Sequence, residues 1–196
     1  KKMEGVVKNL KSKCALLNSN IFLGHTRYIT SGDRLEEGQQ HGVHPIVSLF
    51  HGETYAFVFN GNIPFISSNF SKDTEFIKDF IRQRDHKDNS FKDVLISFVK
   101  EIPRAFNIIF LYKSQVYAIR DVYGTRPFKI LKSNNDDCIY LTSEDYFLES
   151  KCWINVDVSE GSLSIIDKNL NIDTITVLKH RPVKQTAHCV FEHIYF

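Results

Sequence analysis

The stretch VHPIVSLFHGETYAFVFNGN, residues 43–62, decides the fold class. Two runs rich in β-branched and aromatic residues, Val43–Phe50 and Thr54–Phe59, flank the short segment His51-Gly52-Glu53, a pattern that predicts a β-hairpin. The next three residues, Asn60-Gly61-Asn62, tolerate positive φ and predict a turn that ends the second strand. Because a short connection can join only antiparallel strands, this stretch indicates an antiparallel sheet.

The flanking sequence extends this pattern in both directions. Upstream, Asn20–Tyr28 is predicted to be a strand whose apolar start gives way to polar side chains. Downstream, apolar residues recur at helical spacing in two blocks within residues 73–101, separated by the charged segment Arg82–Asn89, and predict two amphipathic helices. Further strands are predicted at Phe106–Tyr112, Gln115–Ile119, Phe128–Leu131, Cys138–Thr142, Ser162–Ile166 and Ile172–Val177. This order predicts an α+β protein with facing, mainly antiparallel sheets and both helices on one outer face.

Composition excludes several classes of protein. The 196 residues are 42% hydrophobic, which fits one domain with a sizeable core. The net charge is +2 at pH 7 and the basic residues are scattered, so we expect no nucleic-acid partner. The longest apolar runs, Tyr55–Phe59 and Ile108–Tyr112, are five residues long. A bilayer requires about 20 apolar residues, so we expect no membrane partner.

Cysteine usage bears on metal binding and on the compartment. The four cysteines, Cys14, Cys138, Cys152 and Cys189, form no C-x-x-C pair and have no ligand spacing with histidine, so no metal site is expected. Dispersed thiols in a chain with a large core favour a reducing compartment, although an even count also fits disulfides. We therefore expect a cytoplasmic protein.

Three polar segments interrupt the predicted elements and contain candidates for binding or catalysis. Arg27 closes an apolar strand, and its planar guanidinium suits bidentate binding of a carboxylate, although such a residue more often forms a structural salt bridge. Asn60 and Gly61 offer a side-chain amide and a backbone N–H, the donor pair of an oxyanion hole, although N-G is first a turn signal. Asp73 precedes a helical pattern, where a carboxylate can cap the helix and still bind an ammonium group.

A charged segment, Arg120–Phe128, joins two predicted strands through a turn that contains Gly124. We interpret Arg120, Asp121 and Arg126 as parts of a buried, ion-paired turn that fixes the strand geometry. The chain has no glycine-rich phosphate loop and no defensible Ser-His-Asp order, and no local motif places a base beside a cysteine. Neither phosphate-loop chemistry nor a serine triad is indicated.

Taken in order, these motifs resemble the glutaminase domain of class II glutamine amidotransferases, which are N-terminal-nucleophile (Ntn) hydrolases. The motifs are Gly24–Gly32, His44-Pro45, Phe59–Ile63, Asp73-Thr74-Glu75, Arg120–Phe128, Thr142-Ser143-Glu144 and Cys189–Phe196, and together they span nearly the whole chain. The N-G-N-I motif and the closing C-x-F-E-x-x-Y-F are most similar to the amidophosphoribosyltransferase branch, whereas the R-D-x-x-G-x-R-P-F motif is shared with asparagine synthetases. The resemblance implies a four-layer αββα sandwich whose N-terminal strand is missing here.

The resemblance also implies a reaction. Such domains hydrolyse the glutamine side-chain amide to glutamate and ammonia, here for transfer to phosphoribosyl pyrophosphate in purine biosynthesis. An N-terminal cysteine attacks the amide with its own α-amine as general base. Asn60 and Gly61 then correspond to the oxyanion hole, Arg27 to the clamp on the glutamine carboxylate and Asp73 to the group that binds its ammonium. No cofactor is implied in this domain.

The two ends of the chain qualify this interpretation, because Lys1 stands where the family has its cysteine. We expect residues 1–196 to be a single glutaminase domain, truncated at both ends and inactive without that cysteine. The expected partners are L-glutamine and a phosphoribosyltransferase domain beyond Phe196, and a homo-oligomer is compatible with the family. The alternatives are a catalytically inactive domain that senses glutamine or serves as an interaction module, and the glutaminase domain of an asparagine-synthetase-like enzyme.

Overall fold

The computed structural model describes residues 19–26, 43–63, 72–134, 138–143 and 153–178. Its elements are β1 (Ile46–Phe50), β2 (Glu53–Asn62), α1 (Asp73–Gln83), α2 (Phe91–Glu101), β3 (Ala105–Tyr112), β4 (Gln115–Arg120), β5 (Lys129–Ser133), β6 (Ile139–Thr142), β7 (Trp153–Asp157), β8 (Ser162–Ile166) and β9 (Ile172–Thr176). The strands form a six-stranded sheet in the order β1-β2-β3-β4-β8-β9 and a three-stranded sheet in the order β6-β5-β7. All neighbouring strands in both sheets are antiparallel.

The two helices cover one face of the six-stranded sheet. Their apolar stripes bury Ile77 and Phe98 against sheet residues such as Phe57 and Phe106. The rings of Phe98 and Phe106 meet edge to face, with 5.3 Å between their centroids. Burial of one such side chain stabilises the fold by about 1.5–3 kcal/mol. This interface holds the larger of the two buried clusters and is therefore the main core. The predicted pair of helices on one outer face is confirmed.

The three-stranded sheet packs on the opposite face of the larger sheet. Ala118 of β4 joins Phe128, Ile130 and Val158 in a second buried cluster. The described residues thus form a helical layer and two facing sheets, which confirms the predicted α/β sandwich. They do not test its second helical layer or the expected lack of an N-terminal strand. No helix among the described residues is long and apolar enough to cross a membrane.

The hairpin of residues 43–62 is confirmed, but its second strand is longer than predicted. The turn lies at His51 and Gly52, whose φ angles are 50° and 74°. The predicted turn at Asn60-Gly61-Asn62 is wrong, because these residues continue β2 and pair with Ala105–Asn107 of β3. The local preference of N-G for a turn is overridden by this pairing with a neighbouring strand.

The predicted strand Asn20–Tyr28 is also wrong where the structure describes it. Residues 20–26 contain no strand. The Ser19 hydroxyl donates to the carbonyl of Ile21 and accepts from the N–H of Ile21, so a local turn occupies backbone groups that a ladder would use. The Phe22 side chain is 56% exposed, as expected for a segment that no described strand accompanies.

The sequence interpretation missed one strand altogether. Residues Trp153–Asp157 form β7, which pairs with β5 along its whole length. The segment is short and follows no turn motif, so its alternating apolar residues were too few to separate it from a loop. Its partner β5 supplies the hydrogen bonds that make it a strand.

Candidate functional site

Asn60 and Gly61 lie where one edge of β2 loses its partner strand. The register of β1 on β2 stops with Ile46 opposite Phe57. The residue before Ile46 is Pro45, which has no N–H with which to continue the ladder. No described strand pairs with this edge of β2 beyond Phe57. Backbone N–H groups of β2 near Asn60 and Gly61 therefore have no strand partner on this edge and can donate to another group.

Gly61 is held against β3 so closely that no side chain fits. A Cβ at this position would lie 2.6 Å from the carbonyl oxygen of Ala105 and 2.6 Å from the Cβ of Phe106. Glycine is therefore required here for close approach of two backbones and not for a positive φ. The contact fixes the backbone of the candidate oxyanion residue against the main core.

The side chain of Asn60 begins a polar row that crosses the sheet. Asn60, Asn107 and Arg120 lie directly opposite one another on β2, β3 and β4, which places their side chains on the same face of the sheet. The residues beside them, Phe59 and Ile108, face the helices, so the polar row faces the three-stranded sheet. Among the described residues, the Asn60 side chain has no hydrogen-bond partner.

Asn107 carries a buried acceptor without a donor. Its Nδ2 donates to the carbonyl of Pro127 at 2.9 Å. The side chain is 6% exposed, and its Oδ1 has no hydrogen-bond partner in the part of the chain that the structure describes. The sequence interpretation missed this residue, although an amide within the apolar strand Ala105–Tyr112 is a detectable signal.

Asp73 connects the first helix to the end of β2. It is the first residue of α1, and Lys72 occupies the N-cap position, so the prediction that Asp73 is the N-cap is wrong by one residue. Its Oδ2 instead accepts a hydrogen bond from the backbone N–H of Ile63 at 3.2 Å. The first helical turn still favours a carboxylate electrostatically. The structure therefore brings Asp73 to the motif that contains Asn60 and Gly61.

The segment that leads to Arg27 lies at the same end of the sheet. The rings of His25 and His44 are in contact, with 4.4 Å between their centroids. Because β1 runs from Ile46 towards the hairpin turn, His44 lies at the opposite end of that strand from the turn, beside the unpaired edge of β2. Arg27 itself lies outside the described residues, and its role as a carboxylate clamp stays a prediction.

Backbone groups, more than ion pairs, hold the turn after β4. Arg120 donates to the carbonyls of Val158 at 2.8 Å and Gly124 at 3.2 Å, and lies 4.0 Å from a carboxylate oxygen of Glu160. The predicted ion pair thus involves Arg120 with Glu160 and not with Asp121. Asp121 has a separate set of hydrogen-bond donors within its own turn.

Asp121 is the most deeply buried carboxylate among the described residues, with 1% of its surface exposed. It accepts hydrogen bonds from the N–H groups of Tyr123 and Thr125 and from the Thr125 hydroxyl. Burial raises the pKa of Asp121, and these hydrogen bonds oppose that shift only in part. Its backbone N–H donates to the carbonyl of Phe106, so the turn supports the strand that lies against Gly61.

A cavity lies away from these residues. It has a volume of about 630 Å³ and opens at the hairpin end of the sheet, lined by aromatic residues such as Phe91 and Tyr112 and by Lys113 and Asp167. None of the candidate residues lines it. The described residues include no cluster of three or more histidine, cysteine, aspartate or glutamate side chains that could hold a metal ion.

Comparison with known proteins identifies the relatives of this chain. No family model matches it. The chain is 27% identical over 219 residues to the amidophosphoribosyltransferase of Homo sapiens and 29% identical over 194 residues to that of Pyrococcus horikoshii. It is 25% identical over 198 residues to the chloroplastic amidophosphoribosyltransferase 3 of Arabidopsis thaliana. Its relatives are amidophosphoribosyltransferases.

The match covers most of this chain but a minor part of each amidophosphoribosyltransferase. The alignments span 96%, 92% and 95% of the chain and 41%, 40% and 36% of the human, Pyrococcus and Arabidopsis proteins. The matched part is their N-terminal glutamine amidotransferase region. The recognition of a glutaminase-type domain from the sequence is therefore confirmed.

Solved structures show the same fold. Glutamine phosphoribosylpyrophosphate amidotransferase from B. subtilis, solved with ADP and GMP, superposes with a TM-score of 0.58 at 18% identity, over 70% of this chain and 32% of that one. A structure described as the allosteric regulatory enzyme of purine biosynthesis superposes with a TM-score of 0.61 at 18% identity, over 78% and 34%. At these identities the likeness concerns the fold alone, and it supports the Ntn-type sandwich.

Proposed function

We propose that this chain is the glutaminase part of an amidophosphoribosyltransferase. In this role it hydrolyses the side-chain amide of L-glutamine and provides ammonia to an acceptor, phosphoribosyl pyrophosphate. The observation that carries the proposal is the hydrogen bond between Ile63 and Asp73, because it brings the candidate ammonium-binding carboxylate to the motif with the candidate oxyanion donors. The relatives found by sequence support the same reaction.

The oxyanion donors act on the negative charge that develops during attack. An N-terminal cysteine, as the resemblance implies, would add its thiolate to the amide carbon and convert the carbonyl oxygen into an oxyanion. The Nδ2 of Asn60 and the N–H of Gly61 would donate hydrogen bonds to this oxygen. Collapse of the intermediate releases ammonia, which takes its proton from the protonated α-amine, and water then hydrolyses the thioester to glutamate.

The two charged residues bind the amino-acid end of the substrate. Asp73 would hold the α-ammonium of glutamine, and Arg27 would bind its α-carboxylate through two parallel hydrogen bonds. Fixing both groups places the side-chain amide beside the nucleophile, and this positioning is the main contribution of the pair to catalysis.

The remaining parts of the proposal concern the whole protein. A phosphoribosyltransferase domain would follow this one in the chain and would use the ammonia. The reaction in this domain would need no cofactor. The cysteine usage supports a cytoplasmic location, although some relatives are chloroplastic by name.

Ammonia release from glutamine by the full-length protein tests the proposal. Asn60→Ala should lower kcat by about 10²–10³-fold with little change in KM, the usual loss when one oxyanion donor is removed. Asn169→Ala, an exposed position at the far end of the sheet, serves as the matched control and should leave kcat unchanged. Equal activity of Asn60→Ala and wild type would exclude Asn60 from the mechanism. A full-length protein that has an exposed N-terminal cysteine and still releases no ammonia would favour a glutamine-sensing domain.

A further inference from the structure

The cavity at the hairpin end of the sheet has the features of a second binding site, separate from the residues assigned to glutamine. Its volume of about 630 Å³ lies within the range of about 300–1,000 Å³ that is typical of small-molecule sites. Its floor is aromatic, because the Phe91 ring lies 4.5 Å from the ring of Tyr112 and 5.4 Å from that of Tyr117, centroid to centroid. We call this feature the hairpin-end cavity.

One side of the hairpin-end cavity carries two lysines. The Nζ of Lys113 lies 5.3 Å from the centroid of the Tyr112 ring, which places this charge beside the aromatic floor. Lys92 lies in the first turn of α2, where the helix dipole also favours a negative charge. A third basic residue of the lining, His51, is already paired with Asp85. Neither lysine forms an ion pair among the described residues, so this side can receive an anionic group.

The backbone at Lys113 indicates that the lysine side chain itself is used. Lys113 and Ser114 form the β3–β4 turn, with φ angles of 47° and 61°. Such a turn favours Asn-Gly, because most other side chains adopt a positive φ only at a cost in free energy. Lysine is thus less favourable for the fold here than asparagine, as expected where backbone strain is retained for binding.

The other side of the hairpin-end cavity is acidic. Asp167 is engaged in its own turn, where its carboxylate accepts hydrogen bonds from the backbone and the side chain of Asn171. Asp173 is exposed on β9, and its carboxylate has no hydrogen-bond or ion-pair partner in the part of the chain that the structure describes. Asp173 lies opposite Ile165, which lies opposite Tyr117, so the Asp173 side chain is on the same face of the sheet as the aromatic floor.

The strand order separates the two charged sides. Two strands, β4 and β8, lie between β3, which leads to Lys113, and β9, which carries Asp173. Three strand spacings amount to about 14 Å. An extended peptide spans at most about 3.3–3.6 Å per residue, so three residues reach about 10 Å, and the lysine and aspartate side chains cover the remainder. A single amino acid is too short to contact both sides.

We propose that the hairpin-end cavity binds a short peptide with free termini, about three residues long. The C-terminal carboxylate of the peptide pairs with Lys113 and Lys92, and its N-terminal ammonium pairs with Asp173. Its middle side chain lies against the aromatic floor. A simple anion would satisfy the lysines alone and leave Asp173 without a partner. The site shares no residue with the proposed glutaminase machinery.

Isothermal calorimetry with the full-length protein and the tripeptide Ala-Phe-Ala, in the absence of glutamine, tests this site. One peptide should bind per chain. Blocking either end of the peptide, by N-acetylation or by C-amidation, removes one charge and should weaken binding about 10-fold or more. Phenylalanine alone should also bind at least about 10-fold more weakly, because it reaches only one charged side.

Each charged side should respond to its own end of the peptide. Lys113→Asn removes the cation but suits the positive φ of the turn, and it should weaken binding of Ala-Phe-Ala about 10-fold without further weakening the C-amidated peptide. Asp173→Asn, at an exposed position, should likewise weaken binding of the free peptide but not of the N-acetylated one. Lys168→Asn, at an exposed lysine outside the lining, is the matched control and should bind like the wild type.

Three results would each overturn the proposal: no binding of Ala-Phe-Ala, equal affinity for the free and the blocked peptides, or phenylalanine that binds as tightly as the tripeptide. If Lys113→Asn does not fold, Asp173→Asn and the blocked peptides still decide the outcome. Because the measurement contains no glutamine and the variants lie outside the glutaminase residues, its failure is distinguishable from failure of the proposed function.

Discussion

The carboxylate of Asp73 accepts a hydrogen bond from the backbone N–H of Ile63, with 3.2 Å between Oδ2 and N. Ile63 is the second residue after Gly61, so the same carboxylate that would bind an ammonium group also holds the backbone next to the oxyanion donors. In the proposed function, Asp73 would therefore connect glutamine binding to the geometry of the oxyanion motif.

Two substitutions of Asp73 should separate these roles. Asp73→Asn keeps an oxygen that can accept from Ile63 but removes the charge, so KM for glutamine should rise about 10-fold or more with a small change in kcat. Asp73→Ala removes both interactions and should raise KM and also lower kcat. Steady-state kinetics of ammonia release by the full-length protein measures both constants. Equal kcat values for the two variants would show that the Ile63 hydrogen bond is irrelevant to catalysis.

Gly61→Ala should destabilise the protein by about 1–3 kcal/mol, because the new methyl group would overlap the backbone of β3. The strand must move to accommodate it, so kcat should also fall. Gly24→Ala is the matched control, since a Cβ there meets no atom within 4 Å. Urea unfolding gives the difference in free energy, and equal stability of the two variants would mean that the close approach of Gly61 to Phe106 is not maintained in solution.

Arg27→Lys should weaken glutamine binding by about 10-fold, because lysine offers a single point charge in place of two parallel hydrogen bonds. Isothermal calorimetry with the full-length protein measures the affinity. Arg82→Lys, at a side chain that is 74% exposed on α1, should bind glutamine like the wild type. Unchanged affinity in Arg27→Lys would contradict the bidentate clamp.

The buried carboxylate of Asp121 should make stability depend on pH in the acid range. Its pKa in the folded protein is raised above 3.8 by burial, so between these two values the folded state binds more protons than the unfolded chain. Through this group, the free energy of unfolding therefore falls as pH rises across that interval. Asp121→Asn should remove this part of the slope, whereas Asp88→Asn, at an exposed position, should retain it. Parallel slopes for wild type and Asp121→Asn in urea unfolding would show that the pKa of Asp121 is not raised.

Local sequence was sufficient where the signal lies within a few residues. The apolar spacing in residues 73–101 predicted both helices, since a helix is closed by bonds between near neighbours. The β1–β2 hairpin was also predicted correctly, because its turn signal is local. The short segment that contains Gly52 separates the two strands, and His51 and Gly52 adopt the positive φ that a tight turn needs. The motifs were likewise enough to recognise the glutaminase-type domain.

Only the tertiary structure decided how those motifs are used. Asn60-Gly61 has the sequence of a turn, yet it continues β2 because Phe106 and Asn107, more than 40 residues away, supply the partner strand. The partner of the Asp73 carboxylate, the N–H of Ile63, lies outside its own helix, and the amide of Asn107 lies opposite Asn60 through strand register alone. Pairing between distant strands depends on which segments meet in the folded chain, and a local sequence pattern does not contain that information.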